Sequence, residues 1–164
     1  MTNIAKEILL DGCIPIFDAT DFLSQRHREL LELFDDYNRA RSLDDKSQIA
    51  KAICKAITIN LHLEDDIFYP EIKRVLKEKG WVSAITMEHS IIKYLISEIE
   101  NLDADSAIYD IKIRVLGEHV KYLIREKQAK LFPKVNTSNK LDLWRLGSQL
   151  AARQHFLVNA FADK

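Results

Sequence analysis

Glycine and proline are scarce in this chain of 164 residues, at four and three respectively. So little punctuation argues against a succession of strands and turns and for long uninterrupted helices. The two cysteines, Cys13 and Cys54, are too few for a disulfide framework and too far apart for a Cys-x-x-Cys motif, and they suit the reduced thiols of a cytoplasm. No apolar run reaches the roughly eighteen residues a membrane helix needs. Met1 to Asp11 shows neither the apolar stretch nor the small-residue cleavage pattern of a secretory leader. An excess of one charge sign is also missing: 24 Lys and Arg stand against 25 Asp and Glu. That balance leaves no footprint for nucleic acid or an anionic membrane surface. No phosphate-cradling glycine loop and no Ser/His/Asp or Cys/His constellation appears, so an enzyme is not expected.

What is present is helical periodicity. With 47% hydrophobic and 30% charged residues the chain can bury one sizeable core, here assigned to a domain over residues 18–164 preceded by an extension over residues 1–17. Asp18 reads as an N-cap for a first helix carrying the stripe Leu23, His27, Leu30, Phe34 to about Ala40. After a connection over Arg41 to Asp45, Ile49, Ile53, Ile57, Asn60, Glu64 and Ile67 share one face of a second helix. Pro70 must kink or restart that helix, and Gly80 reads as the next stop. Val82, Ile85, His89, Ile92, Ile96 and Ile99 mark a third helix. A fourth, capped by Ser106, carries Tyr109, Ile113, Leu116, Val120, Ile124 and Leu131 as far as Pro133. Leu141 to about Phe161 makes a fifth. Such an all-α chain packs most economically as an antiparallel up-down-up-down four-helix bundle with an additional C-terminal helix outside it.

The informative residues are polar ones on apolar faces. His27 falls beside Leu23, Leu30 and Phe34; Asn60 and Glu64 fall among Ile53, Ile57 and Ile67; His89 falls beside Ile85 and Ile96. On the fourth helix Lys127 stands in the middle of the apolar stripe, and an inward lysine needs a partner. His62 lies on the opposite side of its helix from Asn60, His119 at the edge of a stripe, and His155 on the last helix, so none of these three joins the set. Imidazoles and a carboxylate converging from facing helices are the donors a non-haem iron centre requires. A core network whose polar groups satisfy one another is the other reading of the same pattern.

Several short motifs coincide with these positions: Arg26-His27-Arg28-Glu29-Leu30, Glu64-Asp65-Asp66-Ile67-Phe68-Tyr69-Pro70, Glu88-His89, Val115-Leu116-Gly117-Glu118 and Leu131-Phe132-Pro133-Lys134. With them the chain resembles the bacterial hemerythrin-like family, the HHE cation-binding domain, from about Asp18 to His155. The resemblance implies a helical bundle holding two irons through histidines and bridging carboxylates, and roles in oxygen binding, iron handling or redox sensing. It implies metal-ligand positions at His27, Glu64 and His89.

Three further positions depart from the family pattern. Asn60 and Leu123 stand where the family places histidines before Pro70 and Pro133, and Lys127 stands where the second carboxylate belongs. At about 4 Å and an effective dielectric of about 20, a lysine repels each unit of metal charge by several kcal/mol, so a complete di-iron centre is not expected. The expectation is that the Lys127 ammonium replaces a metal ion, with Glu64 as its counter-ion and His27, His89 and Asn60 completing the hydrogen bonds. A second reading keeps a mononuclear iron on His27, Glu64 and His89, with dioxygen or another small diatomic molecule as ligand only if the metal is bound. A third treats the chain as a metal-free partner-binding or regulatory module, whose exposed apolar surface would be Trp144, Leu150, Phe156 and Leu157 on the last helix, unless that segment packs against the bundle or mediates self-association.

Overall fold

The computed structural model describes residues 17–77 and 79–161, with the backbone alone at residue 79. The expected extension, with Cys13, lies almost wholly outside the described residues. Among these, every regular element is helical: α1 (Ala19–Arg39), α2 (Leu43–Leu63), α3 (Tyr69–Leu76), α4 (Lys79–Glu100), α5 (Tyr109–Glu126), α6 (Phe132–Asn136) and α7 (Leu143–Ala160). Two single π-helical turns, Glu64–Phe68 and Lys127–Leu131, join α2 to α3 and α5 to α6.

Side-chain caps set the starts of three helices. Asp18 caps α1 by accepting from the Thr20 and Asp21 amides, Ser42 caps α2 through the Asp45 amide, and Asp142 caps α7 through the Arg145 amide. Each supplies an acceptor to an amide that has no partner inside its helix. The stretch expected to connect the first two helices is therefore mostly helix.

Two expected helix boundaries are relocated. The stop expected at Gly80 falls at Lys77, which adopts a left-handed conformation with φ 57°, and Gly80 lies within α4. Ser106 does not cap α5, whose preceding residue Ile108 makes no side-chain cap. Pro70 restarts the helix, as expected. It follows a π turn and enters the first turn of α3, where the missing amide hydrogen costs no helical bond. Pro133 enters α6 in the same way.

The four long helices contact one another in a ring: α1 packs on α2, α2 on α4, α4 on α5, and α5 on α1. Helix α7 lies against α1 and α2. Leu146, Leu150 and Leu157 are buried there, and Trp144 and Phe156 remain exposed. The expected apolar patch on the last helix is thus divided, because half of its members face the core.

Buried apolar side chains form two clusters. One gathers Phe22, Leu23, Leu63, Phe68, Ile72, Ile85, Leu131, Phe132 and the inner face of α7. The other gathers Leu30, Phe34, Ile53, Ile57, Ile92, Leu116, Leu123 and Ile124. Cys54 belongs to the second, where burial pushes its thiol up to about 12. Fully burying each such leucine or isoleucine stabilises the fold by about 1.5–3 kcal/mol.

Candidate functional site

A polar layer lies along the chain between the two apolar clusters. His27 stands between Leu23 and Leu30, Glu64 between Leu61 and Phe68, His89 between Ile85 and Ile92, and Lys127 between Ile124 and Leu131; in every case one neighbour belongs to each cluster. His27, Asn60, Glu64, His89 and Lys127 are all buried. Together with Leu123 they line a cavity of about 30 Å³, whose remaining wall is apolar and includes Leu30, Ile57, Ile92 and Val120. The structure therefore brings all six positions singled out in the sequence to one place. The space suits about two water molecules.

Glu64 is the hub, with 1% of its surface exposed. His27 Nε2 lies 3.0 Å from Oε1, and because a carboxylate only accepts, the imidazole donates. Oε2 accepts from the Lys127 ammonium and from the Tyr69 hydroxyl at 2.8 Å. His89 Nε2 approaches Oε2 to 3.3 Å without hydrogen-bond alignment. On its other side the His89 ring meets Asp65 through Nδ1 at 2.8 Å, and Asp65 accepts from Lys93 at 2.8 Å. The His27 ring lies parallel to Phe132, with centroids 6.1 Å apart.

These contacts decide the charges. Burial opposes ionisation of Glu64, but the Lys127 charge and the two histidines outweigh it and hold the carboxyl well below its usual range. Burial lowers His27, and the nearby ammonium adds to that against the pull of Glu64, so the ring is held neutral below its usual range. Burial would also lower His89, but Asp65 and Glu64 together raise it. Tyr69 is raised well above its ordinary value, by burial first and then by the Glu64 charge, and remains a phenol donor. A buried carboxylate with this many donors meets the condition under which an ion pair survives desolvation.

The π turns explain how the chain places these groups. Glu64 and Lys127 each begin such a turn six residues before a proline, in Glu64-Asp65-Asp66-Ile67-Phe68-Tyr69-Pro70 and Lys127-Gln128-Ala129-Lys130-Leu131-Phe132-Pro133. Tyr69 was missed in the sequence because five residues on an α-helical wheel place it about 140° from Glu64. The i to i+5 pattern of the turn instead returns Tyr69 to the Glu64 side, through its amide to the Glu64 carbonyl and its hydroxyl to the side chain. Asp65 was legible only as part of the motif. Asn60 departs from expectation: among the described residues its amide makes no hydrogen bond to the cluster, although it lines the cavity. His62, set aside as solvent-facing, lies 3.5 Å from Asp66 at the surface. His119 stands 3.8 Å from Glu88 and His155 lies 3.3 Å from Asn159, both away from the layer.

As a metal centre the donor set is largely committed, with His27 Nδ1 and His89 Nε2 the imidazole nitrogens that lack a hydrogen-bond partner among the described residues. Both oxygens of Glu64 are occupied by protein hydrogens, and His27 uses Nε2 on the same carboxylate. Among the described residues no group of three or more His, Cys, Asp or Glu is arranged to hold a metal ion. The residues present do not fit a dinuclear centre.

The comparisons place this all-helical fold with its buried histidine–carboxylate layer in a known family. The model of the hemerythrin HHE cation-binding domain matches residues 18–135, and the chain belongs to that family. It is similar to the crystal structure of a hemerythrin HHE cation-binding domain-containing protein from Mycobacterium kansasii. The identity is 17% and the TM-score 0.75, over 88% of this chain and 89% of that one. At this identity the likeness shows the fold alone. No curated protein matches the sequence.

Proposed function

We propose that this chain is a hemerythrin-family protein whose cation position is filled from within by Lys127, and that it acts as a metal-free helical binding or regulatory module. The observation that carries this reading is the buried contact of the Lys127 ammonium with Glu64. One internal positive charge opposes any metal ion at the same carboxylate, and neither Asn60 nor Leu123 offers an imidazole to offset that opposition. The ring of contacts among α1, α2, α4 and α5, with short links at residues 40–42 and 101–108, supports the up-down-up-down bundle with α7 outside it. We place the domain from residue 18 onward in a reducing compartment such as the cytoplasm, where the buried Cys54 thiol persists. No helix among the described residues is long and apolar enough to cross a membrane.

The test is iron and zinc analysis of untagged protein from metal-supplemented cells, together with melting curves at increasing ferrous iron or zinc. The expected outcome is far less than one metal per chain and no rise in melting temperature, since only a ligand that binds the native state raises it. Stoichiometric iron with oxygen-sensitive absorption overturns the reading. It would assign a mononuclear centre to His27, Glu64 and His89, with dioxygen or a related diatomic molecule as its ligand.

A further inference from the structure

The outer face of α4 and α5 is apolar, and no described element covers it. On α4 the stripe is Met87, Ile91 and Tyr94; on α5 and the residue before it, the stripe is Ile108, Ile111, Val115 and Tyr122. Each of these seven side chains leaves between 42% and 72% of its surface exposed. The stripes run side by side, because α4 and α5 pack together and the ion pairs Glu98–Lys112 and Glu88–His119 bridge the seam between them. The face of α1 and α2 has α7 against it; among the described residues the face of α4 and α5 has no such cover.

We propose that this face is a two-fold interface with a second copy of the chain. Two observations select that occupant. The spacings are those of heptad seams, with positions 87, 91 and 94 on α4 and 108, 111, 115 and 122 on α5 and the residue before it, so the face is shaped to receive another pair of helices. The charge pattern fits self-pairing. In a two-fold contact each patch meets itself, so any net charge would be repelled. The outward positions 84, 87, 91, 94, 98 and 101 of α4 carry one charge, Glu98, which Lys112 takes up. On α5 the seam positions carry two charges of opposite sign, Glu118, which is paired with Lys121, and the exposed Arg125.

Sedimentation equilibrium of the full chain tests this. The expected result is a dimer at micromolar concentration whose dissociation constant rises at least tenfold in Ile91→Lys and in Val115→Glu. Trp144→Lys, on exposed α7, leaves it unchanged. Far-UV circular dichroism confirms that each variant is folded, and Met87→Lys, at the most exposed position, replaces any variant that is not. A monomer at several hundred micromolar overturns the proposal, as does a dimer that survives the α4 and α5 substitutions. A monomer that dimerises only after removal of residues 1–16 also overturns it, and assigns the face to that segment. None of these outcomes depends on the metal content that tests the proposed function.

Discussion

The Tyr69 hydroxyl reaches Glu64 Oε2 at 2.8 Å from five residues along the chain, a separation an ordinary α-helix would place on another face. The π turn that permits it has a counterpart at Lys127. The two turns therefore deliver the negative and positive members of one buried pair from equivalent local structures.

If that pair is mutually required, each single removal strands a buried charge. Lys127→Met and Glu64→Gln are each expected to cost about 3–5 kcal/mol in urea unfolding. The double substitution is expected to cost clearly less than the sum, because neither charge remains unpaired. Additive effects would show that the two side chains do not stabilise each other.

The cluster's titration has a definite order. His89 is raised above the ordinary 6.5 and His27 is lowered below it, so a histidine NMR titration is expected to show His27 losing its proton at lower pH than His89. The stability contributed by His89 is complete below about pH 6.5 and is lost as pH rises through its folded value. The contribution from neutral His27 is present above about pH 6.5 and is lost as pH falls through its folded value. Glu64 is held well below 4.5, so its contribution is present above about pH 4.5 and disappears as pH falls through its depressed folded value. A reversed histidine order contradicts the geometry.

Gly147 marks the closest approach of α7 to the start of α1. A Cβ added there would stand 2.0 Å from the Phe17 carbonyl oxygen and 3.1 Å from the Ala19 nitrogen. Backbone cannot yield as a flexible side chain does. Gly147→Ala is expected to destabilise by about 1–3 kcal/mol, read as a lower urea midpoint at an unchanged denaturant slope.

Lys77 holds a left-handed backbone at φ 57°, where a side chain is strained and glycine is not. Lys77→Gly is expected to raise stability by about 0.5–1 kcal/mol. In a domain of this size that corresponds to a melting temperature higher by about 1–4 °C, measurable by calorimetry.

Helical periodicity made the all-helical fold legible, because each apolar stripe needed only a wheel to be seen. The polar residues on those stripes, His27, Asn60, Glu64, His89 and Lys127, were legible for the same reason, whereas Leu123 stood out only against the family pattern. Tyr69 was not legible, since a π turn alters the angular count on which a wheel depends. The break at Lys77 escaped notice because lysine carries none of glycine's preference for that conformation, and Gly80 drew the stop toward itself. Phe156 and Leu157 are adjacent in sequence and opposite in exposure, because the step of about 100° per residue returns Leu157 to the stripe of Leu146 and Leu150 and turns Phe156 away from it.

The polar layer also acts as a notch that sets the height of one rod against the next. Sliding α1 by a single turn, about 5.4 Å, would bring Leu23 or Leu31 opposite Glu64 and carry the His27 imidazole into hydrocarbon. Greasy contacts alone tolerate such slippage, whereas this arrangement has one offset at which every charged atom finds company. Alignment of the helices is thereby built into the molecule without any ion having to supply it.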